Sequence, residues 1–153
     1  MSDPPIYVPS AAFDPDDGLP APIRNRIVEH ADGWLPIWIS PGDYEKTLEA
    51  IHGYLTDADR DAGSLDTAMY LDIVIAEKDA AIETAREFYD RYYPAWDRLS
   101  DEAVEARGAF GPPDEVAAML AEYVDAGVET VLVRFTAPNQ REQIRRFENA
   151  VDI

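Results

Sequence analysis

Apolar residues recur along the chain in two alternating rhythms, short unbroken runs and longer stretches with helical spacing. The first run, Ile6-Tyr7-Val8 behind Pro4-Pro5, predicts a short strand, and the polar segment from Pro9 to Pro22, with Asp14, Asp16, Asp17 and Gly18, predicts a loop. Pro22 suits the first turn of a helix; Ile23, Ile27 and His30 then share one face, so a helix runs to about Ala31 and Gly33 breaks it. Trp34 to Ile39 is apolar enough for a buried strand, shortened by Pro36, which cannot donate to a ladder. Ser40-Pro41-Gly42-Asp43 opens the next helix with Ser40 as its cap, and Tyr44, Leu48, Ile51 and Leu55 form its inner stripe.

Met69 to Ile75 is a third strand whose only charge is Asp72. A helix from Asp79 to about Tyr93 follows, with Ile82, Ala85, Tyr89 and Tyr92 as the inner face and Pro94 at its end. From about Ala95 to Gly111 the pattern is weak and suggests only a helical insert over Asp101 to Arg107. Pro112-Pro113-Asp114 starts a helix that turns Val116, Leu120 and either Tyr123 or Val124 inward, and Gly127 supplies a residue free to take positive φ at its end. Val128 to Phe135 is the clearest strand, and Asn139 with Glu142 caps a closing helix carrying Ile144, Phe147 and Val151. Four strands alternating with helices imply a parallel sheet covered by helices. An open α/β sheet is complete at this length, whereas a whole (β/α)8 barrel needs eight units and typically ~250 residues, so pattern alone favours the open sheet.

Composition narrows the function classes. The 153 residues hold 31 Asp and Glu against 13 Lys and Arg, a formal charge of −18. Such a surface repels nucleic acid, and no Lys/Arg stripe is present to release counterions. At 46% hydrophobic residues the chain folds rather than acting as a disordered acidic tail. No apolar run approaches the ~20 residues of a membrane span, and Met1-Ser2-Asp3-Pro4-Pro5 lacks the basic and apolar regions of a signal peptide, so the expected place is the cytoplasm. With no Cys there is no disulfide, thiolate nucleophile or Cys-ligated metal. Only Lys46 and Lys78 are lysines, and an acidic, Arg-for-Lys composition is most simply an adaptation to molar salt, where a Debye length of about 3 Å makes self-repulsion small.

Candidate chemistry is sparse. Asp57, Asp59 and Asp61 resemble the start of a calcium loop, but Ala62 and Ala68 stand where its glycine and bidentate Glu belong. His30 and His52 read as ordinary helix residues rather than a metal or acid–base pair, and no serine sits in a nucleophile elbow. Neither G-x-G-x-x-G nor a P-loop occurs. Arg134 interrupts an apolar strand near its C-terminal end, where α/β proteins place ligand-binding groups. There it suits an anion or phosphate, and equally a carboxylate partner such as Asp72 across the sheet. Trp34 and Trp38 suit the wall of a flat aromatic ligand, or the core.

Four segments together carry a resemblance: Pro4-Pro5-Ile6-Tyr7-Val8, Glu29 to Pro36 with its Ala-Asp-Gly-Trp, Gly111-Pro112-Pro113-Asp114-Glu115-Val116-Ala117, and Asp125 to Phe135 with its Ala-Gly-Val strand entry. In that order they resemble the C-terminal half of the luciferase-like monooxygenases, flavin- or deazaflavin-dependent oxidoreductases, and most of all members of the methylenetetrahydromethanopterin reductase-like kind. The resemblance implies that residues 1–153 are one domain, the last four strand–helix units of a (β/α)8 TIM barrel whose N-terminal half is missing. It implies FMN or a deazaflavin coenzyme as cofactor. Pro9-Ser10 stands where the family often has Gly-Gly, so Ser10 would donate a hydrogen bond to the cofactor phosphate in place of glycine's close backbone approach. Trp34 or Trp38 would line the ring, and Arg134 would hold an anionic group. The resemblance names no catalytic residue in this half. The implied partner is a separately encoded N-terminal half-barrel or a second copy, with the chain inactive alone; the alternative is a non-catalytic self-associating α/β module or a truncated remnant.

The salt reading has a direct consequence. The urea midpoint of unfolding should rise steeply between low and molar KCl, and a midpoint indifferent to KCl would refute adaptation to salt.

Overall fold

The computed structural model describes residues 4–10, 14 and 18–151. Asp16 and Asp17 of the expected first loop lie outside the described residues. In chain order the elements are β1 (Tyr7–Val8), α1 (Ala21–His30), β2 (Gly33–Trp34), α2 (Pro41–Asp57), a 3-10 turn (Ala62–Ser64), β3 (Asp66–Ile75), α3 (Lys78–Tyr92), α4 (Asp101–Glu105), β4 (Gly108–Gly111), α5 (Pro113–Asp125), β5 (Thr130–Phe135) and α6 (Gln140–Ala150). Strands and helices alternate as an α/β fold, and the chain divides into two compact units: residues up to Tyr70 with Tyr123–Leu132, and Leu71–Glu122 with the chain from Val133 onward. Among the described residues no helix is long and apolar enough to cross a membrane.

In the first unit β1 pairs with β2 in parallel, Tyr7 opposite Gly33 and Val8 opposite Trp34, and β2 pairs in parallel with the start of β3. Pro36 interrupts β2 as its missing N–H requires, and contact resumes only as an isolated bridge from Ile37 to Tyr70. The Ala-Asp-Gly-Trp motif has a physical explanation here. The Asp32 carboxylate accepts the Ile6 N–H at 2.7 Å, and the Asp32 N–H donates to the Ile6 carbonyl at 2.8 Å, which fixes the register of β1. Gly33 leaves room for Tyr7, whose ring carbons lie 2.3 and 2.5 Å from where a β-carbon would sit, and the Tyr7 hydroxyl donates to Asp66 at 2.7 Å.

Ser40 caps α2, accepting the Asp43 N–H at 3.1 Å, and Tyr44, Leu48, Ile51 and Leu55 are all buried, as their spacing predicts. Arg60 donates to the Ile27, Val28 and Ala31 carbonyls and so closes the end of α1, which has no glycine to do it. Gly127 takes φ +99°, and a side chain there would also meet Leu48 at 2.9 Å. β5 joins β3 in the same direction: Glu129 donates to Thr67 in this unit, and Thr136 to Ile73 in the other.

In the second unit the end of β3 pairs in parallel with β4, Asp72 opposite Gly108 through Ile75 opposite Gly111. β4 is a fifth strand, beyond the four that the apolar runs predict. Its sequence, Gly-Ala-Phe-Gly, has little strand propensity, yet only glycine admits the approach at Gly108, where a β-carbon would lie 2.1 Å from the Asp72 carbonyl oxygen. The insert expected over 101–107 is α4, capped by Ser100, and the buried Arg86 of α3 ties it down through Leu99 and Asp101.

Two inward faces differ from the sequence expectation, and at a third the structure chooses between two residues. Tyr92 is 61% exposed, so α3 buries Ala81, Ile82, Ala85 and Tyr89 instead. Of the Tyr123/Val124 pair it is Tyr123 that is buried. In α6 Ile144 is 44% exposed and Gln143 takes the inner place, because its amide matches the backbone of Ile75, accepting from the N–H at 2.7 Å and donating to the carbonyl at 3.3 Å. Phe147 does face in, edge-on to Phe135. Asn139 flanks α6 as expected but donates to Glu142 at 2.9 Å rather than accepting from the helix amides.

The Gly33 contact makes a specific claim about stability. Gly33→Ala should lower the unfolding free energy by about 1–3 kcal/mol, as overpacking does, whereas Gly53→Ala, where nothing lies within 4 Å, should leave it unchanged or raise it slightly; urea titration compares the two.

Candidate functional site

Because β1 and β2 are parallel neighbours, the residues that follow them emerge at the same, C-terminal end of the sheet, the end where α/β proteins bind ligands. Ser10 follows β1, and Trp38 follows the Ile37 bridge that extends β2. The Trp34 indole N–H donates to Ser10 Oγ at 2.6 Å. Trp34 itself is fully buried, packed at 4.6 Å on Tyr44, which meets Tyr123 edge-on. Burial pushes the Tyr44 hydroxyl pKa up, so it stays a neutral donor to the Ala68 carbonyl at 3.2 Å. Trp34 therefore presents no ring face outward; it anchors the core and sets the position of Ser10. The Ser10 hydroxyl accepts from Trp34 and keeps its own proton to donate.

Trp38 is different. It is partly exposed and holds φ at +56°, the left-handed region that a bulky residue enters only at a cost of order 1–2 kcal/mol. Strain of this kind concentrates at binding sites, and no periodicity or motif in the sequence signals it. Next to it, the Ile39 carbonyl accepts the Tyr123 hydroxyl at 2.5 Å, which holds the backbone in place.

Arg134 lies in the second unit. Its Nε and Nη2 donate to the two oxygens of Asp72 at 2.6 and 2.7 Å, its Nη1 donates to the Tyr93 hydroxyl at 3.1 Å, and its guanidinium sits over the Phe88 ring at 5.3 Å. The Tyr89 hydroxyl completes the set by donating to Asp72 at 2.7 Å. Of the two partners the sequence left open for Arg134, the structure supplies the carboxylate. Burial by itself would lower the guanidinium pKa, but the bonds to Asp72 and Tyr93 outweigh it and raise it; burial and then the Asp72 charge push Tyr89 up. Arg134 thus stays cationic and Tyr89 neutral across the usual pH range. Asp72 was legible as the lone charge of the apolar run Met69 to Ile75; the tyrosines were hidden among ordinary helix positions.

The other candidates are structural. His30 is exposed beside Glu29 at 3.6 Å, and His52 lies along α2. Asp61 caps the 3-10 turn by accepting the Gly63 N–H. Among the described residues no three His, Asp or Glu side chains gather as a metal site. A cleft of about 210 Å³ in the second unit is lined by Phe88, Arg91, Tyr92, Pro138 and Gln140 among others.

The family model of the luciferase-like monooxygenases matches residues 22–130, more than half of the chain. The chain belongs to that family. Solved structures give the same fold at low identity. An F420-dependent secondary alcohol dehydrogenase, solved with an F420-acetone adduct, matches with a TM-score of 0.78 and 12% identity over 99% of this chain and 49% of its own. A coenzyme F420-dependent tetrahydromethanopterin reductase from Methanopyrus kandleri matches at 0.67 and 20% identity, over 97% of this chain and 50% of its own. An EDTA monooxygenase from Chelativorans sp. BNC1 matches at 0.60 and 11% identity, over 90% and 44%. The chain thus spans about half the length of these structures, and its fold is the corresponding part of a (β/α)8 barrel. No curated protein matches its sequence.

The Asp72–Arg134 pair should dominate the stability of the second unit. Arg134→Met leaves Asp72 fully buried without its cation and should cost about 2–3 kcal/mol, the solvent-reachable guanidinium keeping the loss below that of a fully buried pair; adding Asp72→Asn should recover part of it, read from urea midpoints of the two variants.

Proposed function

We propose that this chain is the C-terminal half of a flavin- or deazaflavin-dependent oxidoreductase, with residues 1–153 acting as one half-barrel domain. The observation that carries the reading is the coverage: nearly all of this chain matches about half of two F420-dependent enzymes, within a family that the sequence independently matches. FMN or a deazaflavin, when bound, supplies hydride transfer or oxygen activation. This chain's part is to bind and orient it. Ser10 donates its remaining proton to the cofactor phosphate, Trp34 holds Ser10 in place through the 2.6 Å bond, and Trp38, strained and partly exposed at the same sheet end, lines the ring. Arg134, committed to Asp72, turns at most its remaining exposed edge to an anionic group. The first half of the barrel completes the site, and residues 1–153 without it have no turnover. The acidic, Lys-poor surface fits a cytoplasm of molar salt.

A second reading, a non-catalytic self-associating module, has one observation of its own. β5 is apolar, Thr-Val-Leu-Val-Arg-Phe, yet none of its residues is buried and Leu132 is 39% exposed, as expected of a strand that another chain covers.

Titration of the chain in molar KCl with FMN and with F420, followed by cofactor fluorescence, separates the readings. Saturable quenching that Ser10→Ala weakens about tenfold or more supports the cofactor site, since a hydrogen bond to a charged group is worth ~1.5–3 kcal/mol. A folded chain that quenches neither cofactor at millimolar concentration refutes it and leaves the module.

A further inference from the structure

Tyr92 is 61% exposed, a ring that α3 leaves in water although its spacing predicts an inward place. It packs on Phe88, the two ring centroids 4.6 Å apart, and both line the cleft between α3 and the turn that joins β5 to α6, which Pro138 and Gln140 border. Its volume of about 210 Å³ suits one six-membered ring with a short chain. A cavity of ~150 Å³ already holds benzene, and pockets for drug-sized ligands begin at ~300 Å³.

The cleft holds charges of both signs. Glu87 and Arg91 line it one helical turn apart, in the order that favours a direct ion pair. Among the described residues neither makes one; Arg91 lies over the Tyr92 ring at 5.9 Å instead. A simple anion drawn to Arg91 would meet repulsion from Glu87, and a simple cation drawn to Glu87 would meet it from Arg91. A ligand with both charges on one carbon satisfies both side chains. We propose that this cleft binds a free α-amino acid with a single-ring aromatic side chain. The ring stacks on Tyr92 and Phe88 against Pro138, the ammonium donates to the Glu87 carboxylate, and the Arg91 guanidinium donates to the ligand carboxylate. Salt does not screen the ring contact, so the ring carries the affinity, while the two exposed charges, each worth little alone, select the zwitterion. An open cleft of this size binds weakly, with a dissociation constant on the order of a millimolar. None of these residues is assigned to FMN or deazaflavin, so the proposal does not depend on cofactor binding.

Titration of the isotope-labelled full chain with L-phenylalanine, followed by 1H–15N NMR without cofactor, tests it in KCl at which circular dichroism shows the fold intact. Saturable shifts should centre on the amides of residues 84–92 and 137–140. Phenethylamine and 3-phenylpropionate, each lacking one charge, and glycine, lacking the ring, should bind several-fold more weakly. Tyr92→Ala should raise the dissociation constant for phenylalanine about tenfold, and Glu87→Gln and Arg91→Gln about threefold each. All three side chains are exposed, so these variants keep the fold. Arg91→Gln should also leave phenethylamine binding unchanged, a split that mere loosening of α3 would not produce. A folded chain without saturable shifts overturns the proposal. So do shifts centred elsewhere, binding indifferent to Tyr92→Ala, or a singly charged analogue that binds as tightly as phenylalanine.

Discussion

β3 is the constraint on which the rest of the structure depends. It is the one long strand, and β2, β4 and β5 all pair with it, so each of those short strands owes its place to that ladder. Eight of its ten residues are buried, which sets what can pack against it. One of them is Asp72. A carboxylate with no water must have its charge and its lone pairs met inside the protein, and Arg134 and Tyr89 are arranged to do so, with the Tyr93 hydroxyl accepting from the same guanidinium. An arginine near the functional end of a strand thereby becomes part of the scaffold.

The same economy shapes the N-terminal strands. Asp32, Gly33 and Trp34 act as one device: the carboxylate sets the register of β1, the glycine admits Tyr7, and the indole both fills the core and fixes Ser10 at the end of the sheet. Core packing and the position of Ser10 are thus linked through a single side chain. Of the two non-glycine residues at positive φ among the described residues, Trp38 and Asp59, the bulky Trp38 lies at that same sheet end.

Charge adds a second layer of organisation. Most of the acid is spread over solvent-facing helix positions, while the last strand and helix are cationic and leave apolar residues uncovered. In a chain that spans half the length of the barrels it resembles, uncovered apolar surface is expected wherever the remaining strands and helices would otherwise lie.

The sequence by itself determined the alternation of strands and helices, the stripe of α2 and its Ser40 cap, the positive φ of Gly127 and the family, because each rests on local periodicity, capping chemistry or a run of residues read in order. It did not reveal β4, since Gly108 and Gly111 carry no strand propensity, and Gly108 is needed only because the Asp72 backbone lies against it. Nor did it show that Gln143 rather than Ile144 faces inward, a choice made by the unpaired polar groups of Ile75, or that Trp38 is strained. Arg134 stood between an anion and Asp72 until the tertiary structure brought the two strands side by side. Pattern records which residues avoid water; only the folded chain decides which polar groups must find each other once water is gone.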